Sequence, residues 1–296
     1  MKDNDIIEQI YKFIFLKDMN STINIFLCGS NPKDTNSLRH KINNHLKEHS
    51  NYNIAFPEEI FESLLKRREY NLLELESDLA NDVDIVILPL EGLGTYAELG
   101  AFSTYEKLQN KIVVINQKRY RHKKNSFINM GPIKLIERSN KKNIIYYDDE
   151  TQTEMLDSVI SRIRGISKSR NRVSDTDNLF NLMRFILYII AFFQPITINK
   201  IKELLEKYVA KRIYYIQPCI DLLIEKKHIL SEVDGRSKYF KLSSIGNELV
   251  FEGLLKKLNL VDTFSEIRAR VVNKNYRKLN KLNLGKERKK FLELVT

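Results

Sequence analysis

A chain of 296 residues, 43% of them apolar, is long enough to bury a sizeable core and to fold as two domains. Its two cysteines, Cys28 and Cys219, stand far apart in apolar stretches. That argues against a disulfide framework or a thiolate metal site and points to reduced thiols in the cytoplasm. The formal charge of +11 is uneven: residues 1–165 carry 23 Lys/Arg against 24 Asp/Glu, and residues 166–296 carry 26 against 14. A near-neutral first half and a strongly basic second half suggest chemistry in one and a polyanionic partner for the other, although basic surfaces also serve solubility alone. The charged first stretch lacks the apolar segment and cleavage site of a secretion signal.

In chain order, Ile23–Leu27 predicts a first strand ending at Cys28-Gly29-Ser30, and helical spacing runs from Leu38 to Leu46. Tyr52–Phe56 reads as a weaker strand stopped by Pro57, with helices over about Glu58–Lys66 and Leu72–Asn81. The unbroken apolar run Ile85–Leu88 predicts a central parallel strand covered on both faces. Lys111–Asn116 and Asn143–Tyr147 are further strands, and a helix covers roughly Glu150–Arg164. This alternation predicts an α/β fold over residues 1–165, a doubly wound parallel sheet.

Ser167 to Asp177 is polar and aperiodic, which marks a linker. Leu179–Phe193 is very apolar but short of the roughly 20 residues a bilayer needs, and it holds Asn181 and Arg184, so it predicts a buried helix. A smaller winged-helix domain is expected over residues 178–258. Thr197 caps a helix from Ile198 to Tyr208, and a second helix spans Lys211–Lys227. A hairpin, Ile229–Val233 and Lys238–Leu242, turns at Asp234-Gly235-Arg236-Ser237, and Ser243/Ser244 start a closing helix. Lys211, Arg212, Arg236 and Lys238 suit contact with DNA, although such modules also bind protein alone. Residues 259–296 form a basic C-terminal helical tail: Arg268 to Lys290 holds ten Lys/Arg and one acid. The tail either contacts phosphates or is simply solvated.

The chemistry-bearing segment is Pro89 to Ala101. Gly92 and Gly94 allow a tight turn at the C-terminal end of the Ile85 strand, where open α/β sheets place their ligands. Glu98 then falls in or near the first turn of a helix, whose positive end keeps it ionised. A carboxylate there is a nucleophile for a sugar C1′. Thr95-x-x-Glu98 also fits a capping box, in which the Glu only satisfies backbone donors.

Gly-Thr-x-x-Glu-Leu-Gly after such a strand resembles the signature of nucleoside deoxyribosyltransferase-like domains, in which that Glu is the glycosyl nucleophile. The two halves together resemble retron antiphage effectors that join such a domain to a winged helix. The resemblance rests on Ile25–Gly29, Leu38-Arg39-His40, Phe56-Pro57-Glu58, Leu73–Glu76, Glu98–Phe102 and Ser126–Pro132, in order, and covers about Ile23 to Val250. It implies glycosidic chemistry at Glu98 on NAD⁺ or a related nucleotide as substrate, with no separate cofactor and no metal. It also implies an oligomer away from membranes, with two partners, a reverse transcriptase and its branched RNA–DNA product (msDNA), that hold the effector in check until phage infection.

Supporting roles are expected of residues around this segment. Cys28, Gly29, Ser30, Gly94 and Thr95 line the substrate. Arg39 pairs with a pyrophosphate or is a solvated helix residue, and Glu76 binds ribose hydroxyls or is a helix-face charge. His40 is a surface or packing residue. Asn129 completes the pocket, perhaps that of a neighbouring subunit. The basic loop of Arg119, Arg121, Lys123 and Lys124 faces nucleic acid. One departure stands out: deoxyribosyltransferases carry an Asp six residues before the nucleophile to handle the base, and here that position is Gly92, with Glu91 beside it. Losing that acid impairs departure of an ordinary nucleobase but not of nicotinamide, which leaves NAD⁺ as a neutral molecule without protonation. The competing readings are a winged-helix regulator that senses a nucleotide without turning it over, and a nucleoside deoxyribosyltransferase.

Overall fold

The computed structural model describes residues 3–31, 34–49, 51–58, 80–123, 125–168, 176, 178–209 and 213–282, without side chains at 254 and 277–282. Most of the helices expected over 58–66 and 72–81 lies outside these residues, as do Glu76, Lys124, Lys211, Arg212 and most of the linker. The chain divides into two compact units, Thr22–Val173 on one hand and Met1–Ser21 with Ser174–Thr296 on the other.

The chain opens with a helical arm: α1 (Asp3–Gln9), a π-helical turn (Ile10–Phe15) and α2 (Leu16–Ser21). The sheet unit follows with β1 (Ile23–Leu27), α3 (Leu38–Lys47), β2 (Tyr52–Ala55), β3 (Ile85–Pro89) and α4 (Leu93–Ser103). After these come α5 (Glu106–Gln109), β4 (Ile112–Gln117), α6 (Lys134–Ser139), β5 (Ile144–Tyr147) and α7 (Gln152–Lys168).

The five strands lie in the order β2-β1-β3-β4-β5, and every neighbouring pair is parallel. β1 and β3 are buried along their whole length, which is why both read as continuous apolar runs rather than alternating ones. One face of the sheet, with Ile25, Leu27, Ile85, Ile87, Val113 and Ile115, packs on Leu38, Ile42 and Leu46 of α3 and on Val159 and Ile163 of α7. The alternate residues Phe26, Val86, Leu88 and Val114 point to the opposite face and are equally buried. In this strand order the chain leaves β1 in one direction and β3 in the other. The crevice at their C-terminal ends is the position where such sheets hold ligands.

The second unit contains α8 (Leu179–Phe193), β6 (Ile196–Thr197), α9 (Ile198–Leu205), α10 (Ile216–Glu225), β7 (Ile229–Asp234), β8 (Ser237–Leu242), α11 (Ser244–Glu248) and α12 (Val261–Leu282). β6, β8 and β7 form an antiparallel three-stranded sheet in that order. Gly235 takes a positive φ of 59° at the β7–β8 turn, the conformation that a two-residue hairpin loop requires and that a glycine adopts freely. Thr197 and Ser243 cap α9 and α11 by accepting from Lys200 N–H and Gly246 N–H. α8 is buried over most of its length, and no described helix is long and apolar enough to cross a membrane.

Residues 1–21 do not belong with the sheet, contrary to a first domain spanning 1–165. Ile6, Ile7, Ile10, Ile14 and Phe15 are fully buried, and the arm is clamped at both ends within the second unit. Asp18, only 1% exposed, accepts from Arg184 Nη1 at 2.8 and 2.9 Å and from the Tyr188 hydroxyl at 3.1 Å. Asp3 pairs with Lys200 at 2.9 Å and with Lys274. Part of the basic C-terminal stretch is likewise turned inward: Arg268 donates to the Phe192 and Gln194 carbonyls at the end of α8, and Arg270 donates to Gln9. Arg268 is therefore a partly buried brace, and Arg270 and Lys274 are tied to Gln9 and Asp3 at the surface.

Candidate functional site

The turn after β3 differs from its expected form. Helix α4 starts at Leu93 with Gly92 as its N-cap, so Thr95 is the third helical residue. The Thr95 hydroxyl accepts the Gly92 N–H at 3.4 Å and donates to the Gly92 carbonyl at 2.7 Å, which makes Thr95 a buried bracket for the turn. Neither Gly92 nor Gly94 has a positive φ, and a Cβ on either would meet nothing within 4 Å. Their effect is to keep the approach to the turn open, not to permit a strained backbone.

Glu98 consequently sits in the second turn of α4, not the first, and caps nothing. Its carboxylate is half-buried; Oε2 is sealed from solvent without a hydrogen-bond partner, and the Cys28 thiol at the end of β1 hydrogen-bonds the group. Burial pushes the Glu98 carboxyl above the usual range; the Cys28 bond opposes this, Glu58 adds to it and Arg39 opposes it. The helix dipole fades beyond the first turn, so desolvation rather than the dipole sets the direction of the shift.

Arg39 forms the floor beside this carboxylate. Ser37 caps α3 by accepting from His40 N–H, and the His40 ring pairs through Nε2 with Asn44 Nδ2 at 2.9 Å on the exposed side of the helix. The first α3 amides, Leu38 N–H and Arg39 N–H, donate to the Glu91 carboxylate at 2.8 and 3.1 Å, and the Ser30 hydroxyl joins them at 3.0 Å. Glu91 thus occupies the anion position at this helix N-terminus. The Arg39 side chain is 1% exposed and forks onto Glu58, with Nη1 and Nη2 donating at 2.7 and 2.6 Å. Nη1 also donates to the Ser30 carbonyl at 2.8 Å, and the guanidinium lies 4.7 Å over the Phe56 ring. Arg39 is therefore neither solvated nor free for a pyrophosphate in this state. Gly29 is required here: its φ is +143°, and a Cβ would stand 2.7 Å from the Arg39 Cβ.

Cys28, Arg39 and Glu98 thus converge, with Glu58 and Glu91 joining them, at the C-terminal ends of β1 and β3. Gly29 and Ser30 serve this cluster through carbonyl and hydroxyl groups. Asn129 does not join it: its amide donates to the Tyr120 and Lys123 carbonyls at 2.7 and 3.2 Å and braces the basic loop. In that loop Arg119 lies 4.9 Å over Tyr120. Glu58 escaped sequence reasoning as a site residue because its partner is 19 positions away on another element; its only signal was its place in Phe56-Pro57-Glu58. Among the described residues, no group of three or more His, Cys, Asp or Glu side chains is placed to hold a metal ion. In the second unit Arg236 and Lys238 are exposed at the β7–β8 hairpin.

Over 303 aligned residues the chain is 29% identical to the Escherichia coli "Retron Ec86 putative ribosyltransferase/DNA-binding protein", covering 96% of this chain and 95% of the relative. The Retron Ec73 protein of the same description and organism is 29% identical over 220 residues, 64% of this chain and 68% of its own. The family model described as STM3845 retron effector protein matches residues 35–231, two-thirds of the length. The chain belongs to the STM3845 retron effector family.

Proposed function

We propose that the protein is the toxic effector of its retron and that it cleaves the N-glycosidic bond of NAD⁺ with Glu98 as nucleophile. The observation that carries this reading is the Glu98 carboxylate itself, half-buried at the switch point with Oε2 sealed and unpartnered and the group steadied by the Cys28 thiol. In the proposed step a carboxylate oxygen attacks C1′ of the ribose. The C1′–N bond breaks, its electron pair passes to the pyridinium ring, and nicotinamide departs neutral. Water then releases ADP-ribose from the ester and restores the carboxylate. The ribosyltransferase description of the relatives supports glycosyl transfer in general.

Glu91 supports a substrate whose leaving group needs no acid. It stands beside the position where deoxyribosyltransferases carry Asp, yet its oxygens accept three hydrogen bonds that anchor α3. A purine leaving without protonation is slow, whereas a pyridinium carries its own charge. The test is release of free base, followed by chromatography, from NAD⁺ and from deoxynucleosides, by the effector alone and by the assembled retron complex. Base release from NAD⁺ is expected. Because the attacking group must be ionised and burial raises its pKa, the acid limb of activity should lie above the ordinary carboxylate range. Base release from deoxynucleosides alone would overturn the substrate assignment.

We read the second unit as a winged helix that docks on the retron nucleoprotein. Helices α9 and α10 followed by the β7–β8 hairpin support this, as does the charge of residues 166–296, 26 Lys/Arg against 14 Asp/Glu. Phosphate contacts release counterions, so affinity for msDNA with its reverse transcriptase should fall steeply between 50 and 200 mM salt, by about tenfold or more. Reversing Arg236 and Lys238 to Glu, with Lys211 and Arg212, should flatten that slope and leave base release by the sheet unit intact. Binding indifferent to salt and to these reversals would assign the docking to protein contacts.

A further inference from the structure

We infer that Arg39 is the receptor for a phosphate of the substrate and that the Glu58 carboxylate holds the same place until the substrate displaces it. The inference rests on the reading of Glu98 as the nucleophile acting on a nucleotide and names the group that positions it. The two members of the Arg39–Glu58 pair are unequal: the guanidinium side chain is 1% exposed and the carboxylate side chain 51% exposed. The cation is a fixed floor, held by the Ser30 carbonyl and the Phe56 ring, and the anion is its solvent-facing cover. A half-exposed carboxylate returns to water at little cost, whereas a buried guanidinium left alone is costly. Any exchange at this pair is therefore an exchange of anions over Arg39.

The incoming anion is defined by chemistry. Two parallel donors, Nη1 and Nη2, match a phosphate as well as they match a carboxylate. Two buried polar atoms in the same cluster lack partners: the Arg39 Nε–H, a donor, and Glu98 Oε2, an acceptor. A phosphorylated ribose offers phosphate oxygens to the first and hydroxyl donors or an electrophilic C1′ to the second. Charge sharpens the class. Glu58 and Arg39 act in opposite directions on Glu98, so the net charge over Arg39 affects the nucleophile. Each phosphate of a pyrophosphate bridge carries one negative charge, as Glu58 does, so one such phosphate in place of Glu58 keeps the charge directly over Arg39 the same. A terminal phosphate carries nearly two, which works against ionised Glu98. The site thus favours pyrophosphate-linked dinucleotides over mononucleotides.

The test uses the full chain and measures ADP-ribose affinity by calorimetry, with melting temperature alongside. Glu58→Gln should bind ADP-ribose about tenfold more tightly than wild type, gain less for AMP, and gain nothing for ribose. Its melting temperature, lowered in plain buffer, should recover on adding ADP-ribose or inorganic pyrophosphate. Glu58→Asp, which keeps the charge but shortens the reach, should show a smaller change in the same direction and serves if the Gln variant folds poorly. The Arg39→Met/Glu58→Gln double variant should lose the gain. Unchanged or weaker binding by both Glu58 variants, no anion-dependent recovery, or a gain that survives in the double variant would make Glu58 a structural counter-ion only. These readouts need no turnover, so failure of NAD⁺ cleavage by wild type would be seen separately in base release.

Discussion

Glu98→Gln is expected to abolish release of nicotinamide from NAD⁺, lowering the rate by at least about three orders of magnitude, while the protein remains folded. An amide of the same shape keeps a hydrogen-bonding oxygen for the Cys28 thiol but cannot attack C1′. The buried environment that raises the Glu98 carboxyl penalises its charged form, so a neutral side chain should leave the melting temperature unchanged or slightly higher near neutral pH. Capping is not at issue, since the cap of α4 is Gly92 and its bracket is Thr95. A Gln variant with near-wild-type turnover would remove Glu98 from the chemistry. One that still binds nucleotide and still supports phage defence would favour a sensor over an enzyme.

Asp18→Ala should produce the largest loss of stability, about 3–5 kcal/mol, a large fraction of the net stability of an ordinary domain. Asp18 is 1% exposed, and its removal takes from the Arg184 guanidinium the acceptor of two short hydrogen bonds and from the buried Tyr188 hydroxyl the acceptor of one. It would also cut the polar tie of the arm to α8, leaving the Tyr11 and Phe15 rings packed on Phe185. Replacing both partners, as in Asp18→Ala with Arg184→Met, should recover part of the loss, because the buried guanidinium is then removed together with its carboxylate. Urea unfolding followed by tyrosine fluorescence reads this directly, as the chain has no Trp. A loss below about 1 kcal/mol would show that the arm is held by its apolar residues alone.

How much of this was legible in the sequence depended on how local each determinant is. Ile23–Leu27 and Leu179–Phe193 are bounded as expected because uninterrupted apolar runs specify buried elements from within. Thr197, Ser243 and the Gly235 turn were equally readable, since caps and hairpin turns act within three residues. Boundaries shifted where two signals competed. The helix expected from Lys211 to Lys227 is, within the described residues, a 3₁₀ turn at Ile213–Tyr215 and then Ile216–Glu225, and α4 starts at Leu93 with Gly92 as cap rather than with the Thr95 cap of a Thr95-x-x-Glu98 box.

The candidate site was legible only in part. Glu98, Cys28, Gly29 and Ser30 follow from strand ends, which apolar runs reveal. The capture of Arg39 by Glu58, the commitment of Glu91 to the α3 amides and the elevation of the Glu98 carboxyl arise between elements that meet only in the folded sheet. The Asp18–Arg184 pair is separated by 166 residues and carries no local signal at all.

The central claim is that Glu98 itself forms the bond to the ribose. A 2′-fluoro-ribosyl analogue of NAD⁺ slows both steps but, with nicotinamide still a good leaving group, lets the glycosyl-enzyme accumulate. Peptide mass spectrometry of the assembled retron effector after exposure to this analogue should find one added fluoro-ADP-ribosyl group on the peptide containing Glu98. It should find none on the Glu98→Gln variant. A label on another residue, or base release from NAD⁺ that persists in Glu98→Gln, would contradict the account.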